Sequence, residues 1–254
     1  MINVTLIQSD IIWEDRISNL KKYQEKINQI ESTDLIILPE MFTTGFSMSP
    51  KGISENMNGE TIKWMKQNAH KMNSAICGSI IIEEDSKYFN RFIWVNPDGS
   101  IHHYDKRHLF SFAGENENYT AGSEKIIIEY KGWKICPLVC YDLRFPVWSR
   151  NVEDYEVLIY VANWPSKRKS AWRSLLVARA IENQCYVIGV NRVGEDGKSV
   201  LYNGDTSLIN ALGETLYINS QCEDIFTTSL SRVDLKKIRN TFPFLKDKDN
   251  FNFL

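Results

Sequence analysis

Four short runs in this chain are apolar almost throughout, and they constrain its fold more than any other feature. They span residues 34–38, 134–139, 157–162 and 185–191, and the first, Asp34-Leu35-Ile36-Ile37-Leu38, stops at Pro39. A strand with one wet face alternates apolar and polar residues. A strand covered on both faces does not. Segments of helical period lie between these runs. Across residues 13–30, Ile17, Leu20, Ile27 and Ile30 recur with Lys, Glu and Gln between them. Residues 61–72 repeat the pattern through Ile62, Met65, Ala69 and Met72, and residues 169–183 read as a third helix. Further strands are expected at 2–8, 75–82, 89–95, from Ile101, and at 126–130, 206–210, 215–218 and 225–230. A short helix is expected at 232–240. Asn96-Pro97-Asp98-Gly99 is a turn, since Pro fixes φ and Gly accepts positive φ. Strands and helices interleave, so the class is α/β, with sheets covered by helices.

The 254 residues show no repeat, low-complexity tract or linker, so one domain over 1–254 is expected. Thirty basic and 32 acidic residues give a net charge of -2, which argues against a nucleic-acid partner. No apolar run approaches the roughly 18–20 residues needed to span a membrane, and the opening residues do not read as a signal peptide. Five cysteines, an odd and scattered count, argue against a disulfide framework and for a reducing cytoplasm. Phe242, Phe244, Phe251 and Phe253 make an aromatic tail. It is expected to pack on its own body or on a second subunit.

Several motifs fail. Gly197-Lys198-Ser199 lacks the earlier glycine of a phosphate loop, because position 192 is Arg. No Gly-x-Gly-x-x-Gly and no Gly-x-Ser-x-Gly occurs. On a strand Cys136 and Cys140 would lie about 13 Å apart, too far to share a metal ion. His102 and His103 would point to opposite faces. No metal site is expected.

Three residues carry chemistry that could combine. Glu40 stands directly after a buried strand, where ligands of α/β folds gather and a partly desolvated carboxylate suits a general base. As an isolated residue it reads more readily as an ordinary Glu opening a loop. Cys140 stands after a second strand, before Pro146 at a helix start. Backbone N–H groups there depress a thiol pKa and can hold an oxyanion. The competing reading is a buried, inert cysteine. Lys106, in Tyr104-Asp105-Lys106-Arg107-His108-Leu109-Phe110, could stabilise a developing negative charge, or merely be solvated.

Leu38-Pro39-Glu40-Met41-Phe42, the segment around Lys106, and Val139-Cys140-Tyr141-Asp142-Leu143-Arg144-Phe145-Pro146 together resemble the three signature segments of the nitrilase superfamily of carbon–nitrogen hydrolases. Glu40-Met41-Phe42-Thr43-Thr44-Gly45-Phe46, Ala162-Asn163-Trp164-Pro165 and the segment 178–184 resemble its omega-amidase branch, and Asn203-Gly204-Asp205-Thr206-Ser207 resembles a later segment. The likeness runs from residue 1 to about residue 230, so 232–254 reads as a C-terminal extension that packs at a subunit interface.

The resemblance implies a four-layer α-β-β-α sandwich, a homodimer, and no cofactor or metal. It implies Glu40 as base, Lys106 as oxyanion stabiliser and Cys140 as nucleophile, with the Tyr141 backbone N–H also facing the oxyanion. A further glutamate would orient the lysine; Glu115 is the better candidate and Glu117 the second. The reaction implied is hydrolysis of the terminal amide of 2-oxoglutaramate or 2-oxosuccinamate, through a thioester, to the 2-oxo acid and ammonia. The substrate's far carboxylate needs a cation, for which Arg168 and Lys167 are candidates. Phe42, Phe46, Phe112 and Trp164 could wall the pocket or simply pack the core. Arg144 is expected to pair with a buried acid. Three other readings stand beside this one. They are another branch acting on N-carbamoyl compounds, aliphatic amides or nitriles, a non-catalytic binding protein on the same fold, and a thiol redox sensor.

Overall fold

The computed structural model describes residues 1–249 and 251. In chain order the first half holds β1 (Ile2–Gln8), α1 (Arg16–Ile27), β2 (Leu35–Ile37), α2 (Glu60–Met72), β3 (Ala75–Glu84), β4 (Lys87–Val95) and β5 (Ile101–Asp105). The second holds α3 (Glu115–Asn118), β6 (Ile128–Tyr130), β7 (Trp133–Val139), α4 (Pro146–Ser149), β8 (Val157–Ala162), α5 (Lys169–Asn183) and β9 (Tyr186–Asn191). It ends with β10 (Val193–Glu195), β11 (Leu201–Ile209), β12 (Thr215–Ser220), β13 (Asp224–Leu230) and α6 (Arg232–Thr241).

Two sheets result. One runs β13-β1-β2-β3-β4-β5, with β1, β2 and β3 parallel. The other runs β10-β11-β9-β8-β7-β6, with β12 beside β11 and with β7, β8 and β9 parallel. Side-chain alternation explains the layering. On β2, Leu35 and Ile37 join a core shared with the second sheet. Ile36 joins a separate cluster with Leu20, Tyr23 and Ile27 of α1 and Ile62, Met65 and Ala69 of α2. Trp172, Leu176 and Ala180 of α5 and Leu235 of α6 close the far side of the second sheet. The order is therefore α-β-β-α, and the apolar strand runs are strands covered on both faces. Each fully buried aliphatic side chain contributes roughly 1.5–3 kcal/mol.

Boundaries follow local chemistry. α1 begins at Arg16 rather than near Trp13, because Asp15 caps it by accepting from the Ser18 N–H at 3.0 Å. β11 begins at Leu201, earlier than the pattern suggests, and pairs with the unanticipated β10. Polar Asn203 and Asp205 and a register shift at Gly204 (φ +74°) disguise its alternation. At the C-terminus, Arg239 donates to the Gln184 carbonyl and Lys248 to the Val152 carbonyl, which tie the tail down. Phe242 and Phe244 nevertheless stay 42% and 63% exposed, while Phe251 is partly buried. Phe253 lies outside the described residues. Among the described residues no helix is long and apolar enough to cross a membrane.

Candidate active site

Glu40 is set by the way β2 runs on past its last residue. Leu38 N–H donates to the Cys77 carbonyl at 2.8 Å, Ser79 N–H to the Pro39 carbonyl at 3.3 Å, and Phe42 N–H to the Ser79 carbonyl at 3.2 Å. This close lie against β3 needs Gly78, where a Cβ would come within 2.9 Å of Leu38 Cβ. Met41 then turns the chain at φ +43°, a left-handed conformation that non-glycine residues rarely adopt. The Glu40 carboxylate is fully buried. Its Oε1 accepts from Asn90 Nδ2 at 2.7 Å and Lys106 Nζ at 2.9 Å, and its Oε2 accepts from the Asn163 N–H at 2.7 Å.

Lys106 follows β5 and is 1% exposed. Its Nζ also donates to both Glu115 carboxylate oxygens, at 3.0 and 2.9 Å. Burial opposes the ammonium charge, but the Glu115 and Glu40 carboxylates outweigh it and hold the proton above the ordinary lysine range. Burial raises Glu115 above the usual carboxylate range, against the pull of Lys106. Of the two candidate glutamates, Glu115 is the one at the lysine; Glu117 is exposed.

Cys140 opens a turn of 3-10 helix (Cys140–Arg144) after β7, at φ +44°. Asp142, fully buried, fixes this turn to the lysine segment. One of its oxygens accepts from the Val139 N–H at 3.0 Å and the Tyr104 hydroxyl at 2.8 Å. The other accepts from the His108 N–H at 3.0 Å and lies 2.8 Å from His108 Nδ1. The expectation of a depressed thiol pKa is overturned. Burial raises Cys140 well above the usual cysteine range, and the adjacent Glu40 carboxylate pushes the same way, with Lys106 opposing. These surroundings favour the protonated sulfur, so a nearby base has to take the proton for it to attack.

Cys140 and Lys106 open onto a cavity of about 830 Å³. Phe46, Tyr141, Trp164 and Arg168 line it, and Phe112, also in the lining, is 87% exposed. Lys167 lines it too. Phe42 does not: it is buried in the helix-side cluster, edge-on to Tyr23 at 5.4 Å. Arg144 is a second correction. Among the described residues it pairs with no acid; it lines the cavity with its guanidinium 4.9 Å above the Trp164 ring. Arg168 lies 4.9 Å over Phe110. The cavity's Asp196 is already occupied by the Lys198 and Val200 N–H groups and the Tyr202 hydroxyl. Among the described residues, Arg144 and Arg168 in the lining therefore have no acidic partner.

Sequence reasoning missed Asn90, Asp142 and the role of Asn163. Asn90 had a visible signal: with Arg91 it is one of two polar residues in the otherwise aromatic and aliphatic run 89–95. Among the described residues no cluster of three or more His, Cys, Asp and Glu side chains could hold a metal ion.

A charged lysine and a thiol open onto one cavity, with a buried carboxylate bonded to the lysine behind them, on a sandwich of two helix-covered sheets. The carbon–nitrogen hydrolase family model matches residues 3–241. This chain belongs to that family. It is 44% identical to the omega-amidase YafV of Escherichia coli over 98% of each chain. It is 31% identical to the 2-oxoglutaramate amidase of Bacillus subtilis over 96% of each. The crystal structure of XC1258 from Xanthomonas campestris, a CN-hydrolase superfamily protein with an arsenic adduct in its active site, superposes with a TM-score of 0.97. The two are 42% identical, over 100% of this chain and 99% of that one. This carbon–nitrogen hydrolase thus shares both fold and sequence with amide-cleaving relatives.

Proposed function

We propose that this hydrolase is an omega-amidase that cleaves the terminal amide of 2-oxoglutaramate or 2-oxosuccinamate to the 2-oxo dicarboxylic acid and ammonia. The observation that carries this is Lys106 held between Glu40 and Glu115 at the floor of a cavity shared with Cys140. Glu40 takes the thiol proton and Cys140 Sγ attacks the amide carbon. The oxyanion is met by Lys106 and the Tyr141 backbone N–H. Glu115 orients Lys106 and keeps it charged. The nitrogen takes the proton from Glu40, ammonia leaves, and a thioester remains. Glu40 then activates water, and the acid departs.

Phe46, Phe112 and Trp164 flank the substrate's carbon chain. Arg168 binds its far carboxylate, with Arg144 as an added partner, because both line the cavity and neither has an acidic partner among the described residues. The working form is a homodimer in a reducing cytoplasm. Exposed Phe242 and Phe244 on the C-terminal extension support the dimer, and the free Cys140 thiol supports the compartment. A monomer mass by sedimentation would remove the dimer.

Ammonia release from 2-oxoglutaramate is the test, run beside N-carbamoyl compounds, simple aliphatic amides and nitriles. A higher kcat/KM on the 2-oxo acid amide is expected. Preference for an uncharged amide would move the chain to another branch of the family.

A further inference from the structure

Asn163 closes β8 and binds the proposed base twice. Its backbone N–H donates to Glu40 Oε2 at 2.7 Å, and its Nδ2 donates to the Glu40 carbonyl at 2.5 Å. The second bond sets the orientation of the amide, since the opposite one would face two oxygens at each other. Asn163 Oδ1 is then buried with no donor among the described residues. The residue is 4% exposed and belongs to the cavity lining, with Oδ1 itself closed to solvent. Buried acceptors are normally satisfied. One left idle beside a reacting centre suits a donor that arrives with the substrate.

We propose that Asn163 Oδ1 accepts an N–H of the scissile amide and so turns the leaving nitrogen toward Glu40. The inference rests on the amidase reading above and deepens it. After Cys140 Sγ has bonded to the carbonyl carbon, the Glu40 carboxyl group holds the former thiol proton. The nitrogen can leave only when its lone pair faces that proton, so its two hydrogens must point elsewhere. One of them rests on Oδ1. The proton passes from Glu40 to nitrogen, the C–N electron pair goes with ammonia, and the oxyanion collapses to the thioester carbonyl. Asn163 neither gains nor loses a proton. An ester's leaving oxygen carries no hydrogen for Oδ1 to accept, so this contact favours amides over esters of the same acid.

The test uses the full chain with Asn163→Ala and Asn163→Asp. It measures kcat/KM on an amide the wild-type protein hydrolyses and on the methyl ester of the same acid. Asn163→Ala should lower the amide value roughly 10- to 100-fold more than the ester value. Asn163→Asp keeps an oxygen acceptor but lacks the Nδ2 donor. It should lower both values together and leave the amide-to-ester ratio near wild type. Where Asn163→Ala does not fold, Asn163→Ser is read in the same way. Equal losses on amide and ester in Asn163→Ala would reduce Asn163 to a prop for Glu40 and overturn the proposal. A ratio shifted as far in Asn163→Asp would do the same. A wild-type protein that hydrolyses no amide would overturn the amidase reading itself, and this inference with it.

Discussion

Lys106 is boxed in by two carboxylates, so its charge matters to the fold as well as to the reaction. The site holds Glu40 and Glu115 on one ammonium, all three nearly free of solvent contact. Breaking such a buried pair from one side costs about 3–5 kcal/mol when the remaining charge stays. Here Glu115, already raised by burial, can take up a proton instead. Lys106→Ala should therefore remain folded by circular dichroism while kcat falls at least about 10²-fold, the usual loss of one oxyanion donor. Near-normal turnover in the folded variant would remove the role given to this lysine. Much of this was legible beforehand. Glu40, Lys106 and Cys140 were candidates by their places after strands, each with an inert reading still open, and it was the resemblance of their three segments to one family that singled them out together. Arg144 could not, since spacing along a chain does not say which side of a turn faces a cavity. The thiol's raised pKa was equally hidden, because it depends on burial and on a carboxylate one hundred residues away in the chain.

Element boundaries decide where these groups point. Glu40 is delivered by a β2 tail that rests on Gly78, with Leu38 Cβ and Phe42 at 2.9 and 3.0 Å from the position a side chain would take. Both contacts lie in a packed core. Gly78→Ala should destabilise the protein by about 1–3 kcal/mol in denaturant unfolding. It should also lower kcat by shifting Glu40. Wild-type stability in this variant would mean the tail has slack. A second element-level contact ties the start of β13 to α1. Burial raises the Glu223 carboxyl, but hydrogen bonds from Lys22, the Asp10 N–H, Lys26 and Ser9 outweigh it and hold the group at about 2 against an ordinary 4.5. A depressed carboxyl stabilises the fold above its unfolded value and stops doing so as pH falls through its folded one. The melting-temperature gap between wild type and Glu223→Gln should be full above about 4.5 and close as pH falls toward about 2. A gap independent of pH would contradict this. The elements themselves were largely readable: β1, β8 and α5 match their patterns end to end. β10 and the front of β11 were lost because polar residues and a bulge break the period that sequence reading depends on.

At the scale of the whole molecule, the site exists because both sheets contribute to it. Glu40 comes from β2 and Lys106 from β5 of one sheet, Cys140 from β7 and Asn163 from β8 of the other. The α/β class could be deduced from the apolar runs. The pairing of two sheets back to back could not, since a strand buried on both faces looks alike under a helix or under another sheet. That face-to-face packing is what brings groups 34, 66 and 100 residues apart in the chain into one cluster, with Lys106 and Cys140 at the cavity and Glu40 buried against Lys106. The most direct test is intact-mass and peptide mapping of enzyme quenched during turnover of 2-oxoglutaramate. The expected result is the substrate's acyl group on Cys140, absent in an inactive Cys140→Ala variant. Turnover without any adduct, in a Cys140→Ala variant that still releases ammonia, would contradict covalent catalysis at this site.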